Sequence, residues 1–257
     1  MRIVVKVGTS TLAYQNGNLN IRRVELLCKV LSDLKNAGHE ILLVSSGAIG
    51  MGVGKLGLHE KPSDMPSKQA AAAIGQCELM YVYDKQFTEY NHTIAQLLIT
   101  KYDVENETNH VNFKNTVSRL LELGVMPIIN ENDTVATEEL VIGDNDTLGA
   151  IVAVSGAADL LVILSDIDGF YTADPRTNPD AKLISVVEEI TPEIVALGKG
   201  KGTMLGTGGM ATKLRAASIA ADAGISTVIA NGKNPEKLYD IVEGKPVGTI
   251  FKGKERK

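Results

Sequence analysis

The sequence is poor in the features that mark secreted, membrane-spanning and nucleic-acid-binding proteins. Its 257 residues include no Trp and two Cys, Cys28 and Cys77, which lack CxxC or CxxH spacing. So few thiols cannot form a disulfide framework, and we expect both to be free in a reducing compartment. The most apolar stretch, residues 148–165, is interrupted by polar residues and falls short of the roughly 20 apolar residues that a membrane span needs. Because the N-terminus also lacks a signal-peptide pattern, we predict a soluble, cytoplasmic protein.

An excess of positive charge is also missing. Lys and Arg number 26 against 31 Asp and Glu, which gives a net charge of −5. The chain therefore lacks the broad positive field that binding to nucleic acid or to an anionic membrane requires, and we expect neither partner. Any anionic ligand must be held locally. Hydrophobic residues, at 44%, are sufficient for a buried core, which excludes disorder as the main character.

Apolar runs alternate with helical patterns along the whole chain. The helical pattern is clearest at 21–36, where Asn20 stands at the N-cap position and Gly38 follows the end. Strands are predicted over 2–7, 40–45, 93–99, 125–129, 160–165 and 226–230, and further helices over 67–87, 112–123, 145–157 and 209–224. This order predicts an α/β fold with a mainly parallel sheet covered by helices on both faces, and ligands beyond the carboxyl ends of the strands. No linker divides the chain, so we expect residues 1–257 to form a single domain.

The common nucleotide-binding and hydrolase motifs are absent or misplaced. No GxxxxGK[ST], HExxH or GxSxG occurs. A GxGxxG match at 52–57 does not follow its strand directly, and a looser GxGxxA match at 206–211 follows polar residues instead of a strand. Both placements argue against a nicotinamide dehydrogenase, because a Rossmann fingerprint needs strand, turn and helix in succession. The sequence DIDG at 166–169 lacks the other ligands of a calcium loop.

Two turns after predicted strands offer room for an anion. Lys6 lies inside the first strand, just before Gly8 and Thr9. An ammonium group in an apolar strand is rare unless it is paired, so Lys6 could face a phosphate together with backbone N–H groups of the turn. The alternative is an edge-strand lysine that reaches water. The small residues at 45–48 would let a ligand approach the backbone, although such turns are common.

Two polar loops, 130–133 and 143–146, flank a short strand-like piece at 139–142. Together they carry three Asp, three Asn and one Glu. Turns and helix capping explain part of this composition, with Asp144 or Asn145 as the N-cap of the next helix. The number of groups exceeds what caps need. The cluster could hold an ammonium group, order lysines or position hydrated magnesium.

A glycine-rich loop at 206–213 leads into a helix that carries Lys213 in its first turns. Helix N-termini attract anions, and Lys213 would add a full positive charge, although a surface loop with an ordinary helix lysine would look the same. Taken together, two lysines, two glycine-rich loops and an acidic cluster are the parts that phosphoryl transfer without a P-loop requires. No general base stands out. A carboxylate acceptor would not need one, because it is already ionised at neutral pH.

Five motifs together resemble the amino acid kinase family, in order and over nearly the whole chain. They are VVKVGTS, SSGAI, the pair PIINENDTV and IGDND, SDIDGFYTADPR, and GTGGMATK. SSGA is shared widely in that family, whereas the later motifs are specific to members that phosphorylate glutamate. The resemblance implies a three-layer αβα sandwich that transfers a phosphoryl group from ATP to L-glutamate, giving L-glutamyl 5-phosphate in the first step of proline biosynthesis. It also implies Mg²⁺ held largely by the ATP phosphates, so no protein ligand of the metal is assigned.

The resemblance further implies roles for individual residues. Lys6 and Lys213 would stabilise the transferred phosphoryl group, and Asp146 would hold them in register. The glutamate-binding residues would be Ser46, Asp133 and Asn145, with Asp144 in support. The nucleotide-binding residues would be Lys6, Gly8, Thr9, Ser165, Asp166, Thr207, Gly208, Gly209, Met210, Ala211, Thr212 and Lys213. Ser165 stands where family members usually have Thr, which preserves the hydroxyl group.

Family members are commonly inhibited by proline and form homodimers or homotetramers, and we expect the same here. Many continue into a C-terminal PUA domain, which we do not expect in this chain. Two alternatives stay open. The acceptor could be another small carboxylate or a phosphate, or the protein could be an amino-acid-sensing module without turnover. The presence of both Lys6 and Lys213 argues against a sensing module.

Overall fold

Strands and helices alternate in the computed structural model, which describes residues 1–14, 18–136, 142–198 and 209–255. The strands are β1 Arg2–Val7, β2 Glu40–Val44, β3 Ile94–Ile99, β4 Met126–Glu131, β5 Leu160–Ser165, β6 Phe170–Tyr171, β7 Leu183–Ile184, β8 Val186–Val187, β9 Ser226–Asn231 and β10 Thr249–Phe251. The helices are α1 Thr9–Leu12, α2 Ile21–Asn36, α3 Ala48–Lys55, α4 Met65–Thr88, α5 Lys101–Glu105, α6 Glu107–Glu122, α7 Asn145–Ser155, α8 Pro192–Leu197, α9 Met210–Asp222 and α10 Lys237–Val242.

The central sheet has the strand order β3-β4-β2-β1-β5-β9-β10-β8. Among the described pairings in this sheet, β10 runs antiparallel to β9 and the others are parallel. β1 lies in the interior, where Val4 stands opposite Leu42 of β2 and Leu161 of β5. Such strands are covered on both faces, which is why they are continuous apolar runs in the sequence. The prediction of an α/β fold with a mainly parallel sheet is confirmed.

The core is divided into two clusters by the sheet. Successive side chains of β1 point to opposite faces, so Ile3, Val5 and Val7 enter one cluster and Val4 enters the other. Helices α2, α4 and α10 cover the first cluster, and α6, α7 and α9 cover the second. The chain therefore forms three layers, helix, sheet and helix. Lys6, which shares a face with Val4, points toward the layer that contains α7 and α9.

Helices α3 and α4 pack with almost no space between their backbones. A Cβ added to Gly52 would overlap the Ala71 backbone, and one added to Gly75 would overlap the Ala48 backbone. Gly52, the first glycine of the GxGxxG match, thus serves helix packing. The contact fixes the start of α3, which begins two residues after Ser46.

Most predicted elements are present, with shifted ends. The helix over 21–36 and the strand over 160–165 have the predicted bounds. α4 begins at Met65 rather than 67, because Asp64 caps it and Pro66 is tolerated in a first helical turn. α6 begins at Glu107 rather than 112, where Asn106 is the N-cap. The predicted strand-like piece at 139–142 falls mostly on residues 137–141, which lie outside the described residues.

Both cysteines are free, with Cys28 buried and Cys77 exposed. Within the described ranges, no helix combines the length and the apolar composition needed to cross a membrane.

Candidate active site

Two cavities open at the edge of the sheet where β1, β2, β4 and β5 end. We name the first, of about 310 Å³, the donor cavity; it lies along β5, the segment after it and the start of α9. The second, of about 380 Å³, is the acceptor cavity; it lies between the turns after β1, β2 and β4 and the start of α7. Ser165, Asp166 and Lys213 line both cavities. A ligand in one cavity therefore has direct access to a ligand in the other.

An ion-pair triad lies beside the junction of the two cavities. Asp146 Oδ1 lies 2.7 Å from Lys6 Nζ, and Asp146 Oδ2 lies 3.0 Å from Lys213 Nζ. Thr212 Oγ1 also donates a hydrogen bond to Oδ2 at 2.7 Å. The two ammonium groups come from β1 and α9, 207 residues apart in the sequence, and one carboxylate at the start of α7 joins them.

Burial makes this triad an unusual electrostatic arrangement. The side chains of Lys6, Asp146 and Lys213 are all buried, and Asp146 is only 1% exposed. Burial would raise the pKa of Asp146, but the charges of Lys6 and Lys213 and the hydrogen bond that Thr212 donates to Asp146 outweigh it and hold the pKa at about 2. Burial lowers the pKa of Lys6, while the Asp146 charge opposes that change. With one negative and two positive charges, the triad has a net positive charge that favours an anion at its open side.

Helix α7 begins in the acceptor cavity, and the polar loop before it has mainly structural contacts. Asp144 is the N-cap of α7, accepting hydrogen bonds from Thr147 N at 2.7 Å and Thr147 Oγ1 at 2.9 Å. Asn145 Nδ2 donates to Ser45 O at 2.6 Å and to Asn130 Oδ1 at 2.8 Å. Asn145 therefore joins the ends of β2 and β4. Asp144 and Asn145 both line the acceptor cavity, as predicted for substrate-binding residues, and their roles toward a ligand stay predictions.

Two further carboxylates, at the end of β4, line the same cavity. Burial raises the pKa of Asp133. Burial also raises the pKa of Glu131, to about 7, with smaller contributions from the charges of Asp133 and Asp144, although the Ile142 and Gly143 N–H groups oppose the change. Glu131 Oε1 accepts a hydrogen bond from Ile142 N at 2.6 Å. Carboxylates this crowded favour a cation in the acceptor cavity.

The turns after β1 and β2 complete the acceptor cavity. Ser46, Gly8 and Thr9 line it, so Gly8 and Thr9, predicted to bind nucleotide, lie on the acceptor side of the triad. Gly47 has a φ of 101°, which disfavours any side chain, and this turn allows α3 to begin at Ala48.

The donor cavity contains five of the twelve predicted nucleotide-binding residues. Ser165, Asp166, Gly209, Met210 and Lys213 line it. Five others in the described part of the chain do not line it. Lys6, Gly8 and Thr9 line the acceptor cavity instead, Ala211 is exposed on α9, and Thr212 bonds Asp146. Thr207 and Gly208 lie outside the described residues.

Sequence reasoning assigned no individual role to several residues that line the cavities, although Glu131 was counted in the polar loop 130–133. In the donor cavity these include Asp168, Tyr171, Asp174, Arg176, Asn231 and Lys233, and in the acceptor cavity Glu131, Lys61 and Lys68. The motif SDIDGFYTADPR already contained the first four. Lys61 and Lys68 gave no signal, because each is an ordinary lysine near the start of a helix until the fold brings it to the cavity.

Comparisons with known proteins agree with this fold. The family model described as the amino acid kinase family matches residues 1–231. The glutamate 5-kinase of Clostridium perfringens is 55% identical over 99% of this chain and 96% of its own length, and that of Clostridium tetani is 56% identical over 97% and 93%. Among solved structures, the product complex of T. acidophilum isopentenyl phosphate kinase is similar to this chain with a TM-score of 0.68 at 19% identity. The match covers 98% of this chain and 100% of that one, so the two proteins share a fold. The chain belongs to the amino acid kinase family.

Proposed function

We propose that this protein transfers the γ-phosphoryl group of ATP to the γ-carboxylate of L-glutamate, giving ADP and L-glutamyl 5-phosphate. The observation that carries the proposal is the pair of cavities that share Lys213, with the buried Lys6–Asp146–Lys213 triad beside them. High identity to two glutamate 5-kinases supports glutamate as the acceptor. This reaction is the first step of proline biosynthesis.

The reaction needs positioning and charge neutralisation more than proton transfer. A γ-carboxylate oxygen of glutamate attacks the γ-phosphorus of ATP, and the bond from that phosphorus to the β,γ-bridging oxygen breaks, so that ADP leaves with the bonding electrons. Negative charge spreads over the transferred group and the leaving oxygen. Lys6, on the acceptor side, and Lys213, which lines both cavities, stabilise that charge. Asp146 holds both ammonium groups in place before the substrates arrive.

The acceptor cavity has the charges that suit an amino acid. Asp133, with Asp144 nearby, would hold the α-ammonium group, and the Ser46 hydroxyl and the Asn145 amide would supply hydrogen bonds to the carboxylates. The same carboxylates disfavour an acceptor that carries a dianionic phosphate group, which weakens that alternative.

ATP would occupy the donor cavity. The phosphates would approach Lys213 and the backbone at Gly209 and Met210, where α9 begins, and the Ser165 hydroxyl and the Asp166 side chain would contact the nucleotide. Mg²⁺ would enter with the nucleotide, because it binds phosphate oxygens and keeps several of its waters. In the described residues, no three His, Cys, Asp or Glu side chains group as a metal site.

Formation of the acyl phosphate tests the proposal directly. The purified protein is incubated with ATP, Mg²⁺ and L-glutamate, and the product is trapped with hydroxylamine as the hydroxamate. Lys213→Ala should lower kcat by about 10³-fold, since one preorganised charge at the reacting group contributes about 10²–10³ or more. Lys85→Ala, at an exposed lysine on α4, is the control. Unchanged turnover in Lys213→Ala, or faster turnover with aspartate than with glutamate, would refute the proposal.

The same proposal includes partners and setting. Proline shares the α-carboxylate and a charged α-nitrogen with glutamate, so it would compete for the acceptor cavity, and a rising glutamate concentration should relieve its inhibition.

We also propose one kinase domain for residues 1–257, since one sheet connects the start of the chain with β10. We propose a cytoplasmic location as well, which is consistent with two free thiols. A homodimer or homotetramer is expected and is tested by sedimentation.

A further inference from the structure

The lining of the acceptor cavity is divided by charge. Glu131, Asp133 and Asp144 come from the end of β4 and the start of α7, whereas Lys61 and Lys68 come from the connection into α4 and its first turns. Lys6 and Lys213 lie at the junction with the donor cavity. A dicarboxylic amino acid carries three charged groups: a reacting carboxylate, an ammonium group and a second carboxylate. The lining offers one set of oppositely charged side chains for each of these groups.

Glu131 is a carboxyl group held in a fixed position in this lining. Its side chain is 7% exposed, and the Ile142 N–H group holds one of its oxygens at 2.6 Å. A carboxylate has about four lone-pair sites, so this hydrogen bond leaves capacity for a ligand. A buried carboxylate with an incomplete set of partners is costly, and an ammonium ion in the cavity would remove that cost.

Lys68 is the cation that faces the same space from α4. It is half-buried, and no Asp or Glu in the described part of the chain lies within ion-pair distance of its ammonium group or that of the more exposed Lys61. Gln69 Nε2 donates to Ala136 O at 3.2 Å, which ties the first turns of α4 to the loop that carries Asp133. Lys68 therefore lines the same cavity as the carboxylates, from a helix turn that is anchored to the loop of Asp133.

We propose that Glu131 and Lys68 determine acceptor specificity: Glu131, together with Asp133, binds the α-ammonium group of the substrate, and Lys68 binds its α-carboxylate. Lys61 supports Lys68 from the rim. This inference rests on the proposed function, because it assumes that the γ-carboxylate faces the triad. With the γ-carboxylate there, the two α-substituents of glutamate meet groups of opposite charge.

Affinities for three ligands test the two residues separately. Glutarate is L-glutamate without the α-ammonium group, and 4-aminobutanoate is L-glutamate without the α-carboxylate. Dissociation constants for all three are measured by isothermal titration with the parent protein, Glu131→Gln and Lys68→Met. Glu131→Gln keeps an oxygen that can accept from Ile142 N, so the loop stays anchored.

A crossed pattern is expected. Glu131→Gln should weaken glutamate and 4-aminobutanoate binding by about 10- to 100-fold, the loss of one charge-assisted hydrogen bond, and leave glutarate within about twofold. Lys68→Met should weaken glutamate and glutarate by a similar factor and leave 4-aminobutanoate within about twofold. Glu89→Gln and Lys85→Met, at exposed positions outside the cavity, should change none of the affinities.

The crossed pattern separates specificity from stability. Equal weakening of all three ligands by either variant would overturn the inference, since a merely structural residue cannot distinguish them, and so would a parent protein that binds none of them. Hydroxamate formation by the parent protein is measured independently. Absence of turnover with a crossed pattern in affinity would refute the proposed function alone, whereas turnover without the crossed pattern would refute this inference alone.

Discussion

Replacing Asp146 with Asn should damage both catalysis and stability, because the substitution leaves two buried ammonium groups without their shared carboxylate. Asp146 is 1% exposed and lies 2.7 Å from Lys6 Nζ and 3.0 Å from Lys213 Nζ. Removing one partner of a buried ion pair typically costs about 3–5 kcal/mol. For a chain of this size, each 1 kcal/mol lowers Tm by about 2–4 °C, so Asp146→Asn should unfold about 6–20 °C below the parent.

Acid should reveal the same charge interaction. The pKa of Asp146 is about 2 in the folded protein against 3.8 for an unperturbed Asp, so the ionised form contributes about 2 kcal/mol of folding free energy. Because the folded pKa is lower than the unfolded one, this contribution is present above pH 4 and is lost as the pH falls toward 2. Asp146→Asn should therefore show a weaker loss of stability over that range than the parent.

Catalysis gives the second readout. Without Asp146, neither ammonium group is held at the reacting centre, and kcat should fall by at least about 10³-fold. Thermal unfolding, urea unfolding across pH and hydroxamate formation are measured on Asp146→Asn and on Asp84→Asn, an exposed control on α4. If Asp146→Asn retains kcat within about tenfold and Tm within about 2 °C of the parent, Asp146 neither positions the two ammonium groups for catalysis nor stabilises the fold through them.

Three other predictions test separate parts of the site. The pKa of Glu131, about 7, lies above its ordinary value of 4.5, so its protonated form stabilises the fold below pH 4.5 and this contribution is lost as pH rises through 7. Glu131→Gln should therefore show a smaller fall in the free energy of unfolding over that range, measured by urea unfolding. Parallel pH profiles for the variant and the parent would contradict this prediction. Tyr83→Phe removes the buried hydrogen bond of 2.9 Å to Ser45 and should cost about 1–2 kcal/mol of unfolding free energy, with Tyr90→Phe as the exposed comparison. Gly75→Ala would overlap the Ala48 backbone and should destabilise the protein by at least about 1–3 kcal/mol. It should also raise KM for glutamate, since α3 begins beside the acceptor cavity, and an unchanged Tm would show that the helices separate freely.

The strands and long helices were accessible from the sequence because their signals are local. A strand is recognised by an apolar run of five or more residues and a helix by a 3.6-residue periodicity, and both signals depend only on nearby residues. The helix over 21–36 also has its own N-cap, because the Asn20 side chain accepts a hydrogen bond from Arg23 N. The short strands β10 and β8, which are the last two at one side of the sheet, have three and two residues. They form because neighbouring strands pair with them, and no local sequence pattern predicts such pairing.

The donor and acceptor cavities show the same division. The motifs indicated the residue types that phosphoryl transfer requires, and the resemblance assigned Lys6, Lys213 and Asp146 to one centre. Neither the motifs nor the resemblance could supply the distances within the triad, the position of Ser165 in the lining of both cavities, or the capping contacts of Asp144. Glu131 and Lys68 illustrate the limit most directly, since their place in the acceptor cavity depends on how α4 packs against the end of β4.

The sequence by itself determined an acidic α/β chain without a P-loop, and a set of lysines, glycines and carboxylates suited to an anionic ligand. These properties follow from composition and from periodicities that each segment carries alone. The tertiary structure alone decided which charges meet. A parallel sheet collects the ends of β1, β4 and β5 at one edge, so residues more than 200 positions apart form one buried triad, and the charges of Lys6 and Lys213 then hold the pKa of Asp146 at about 2.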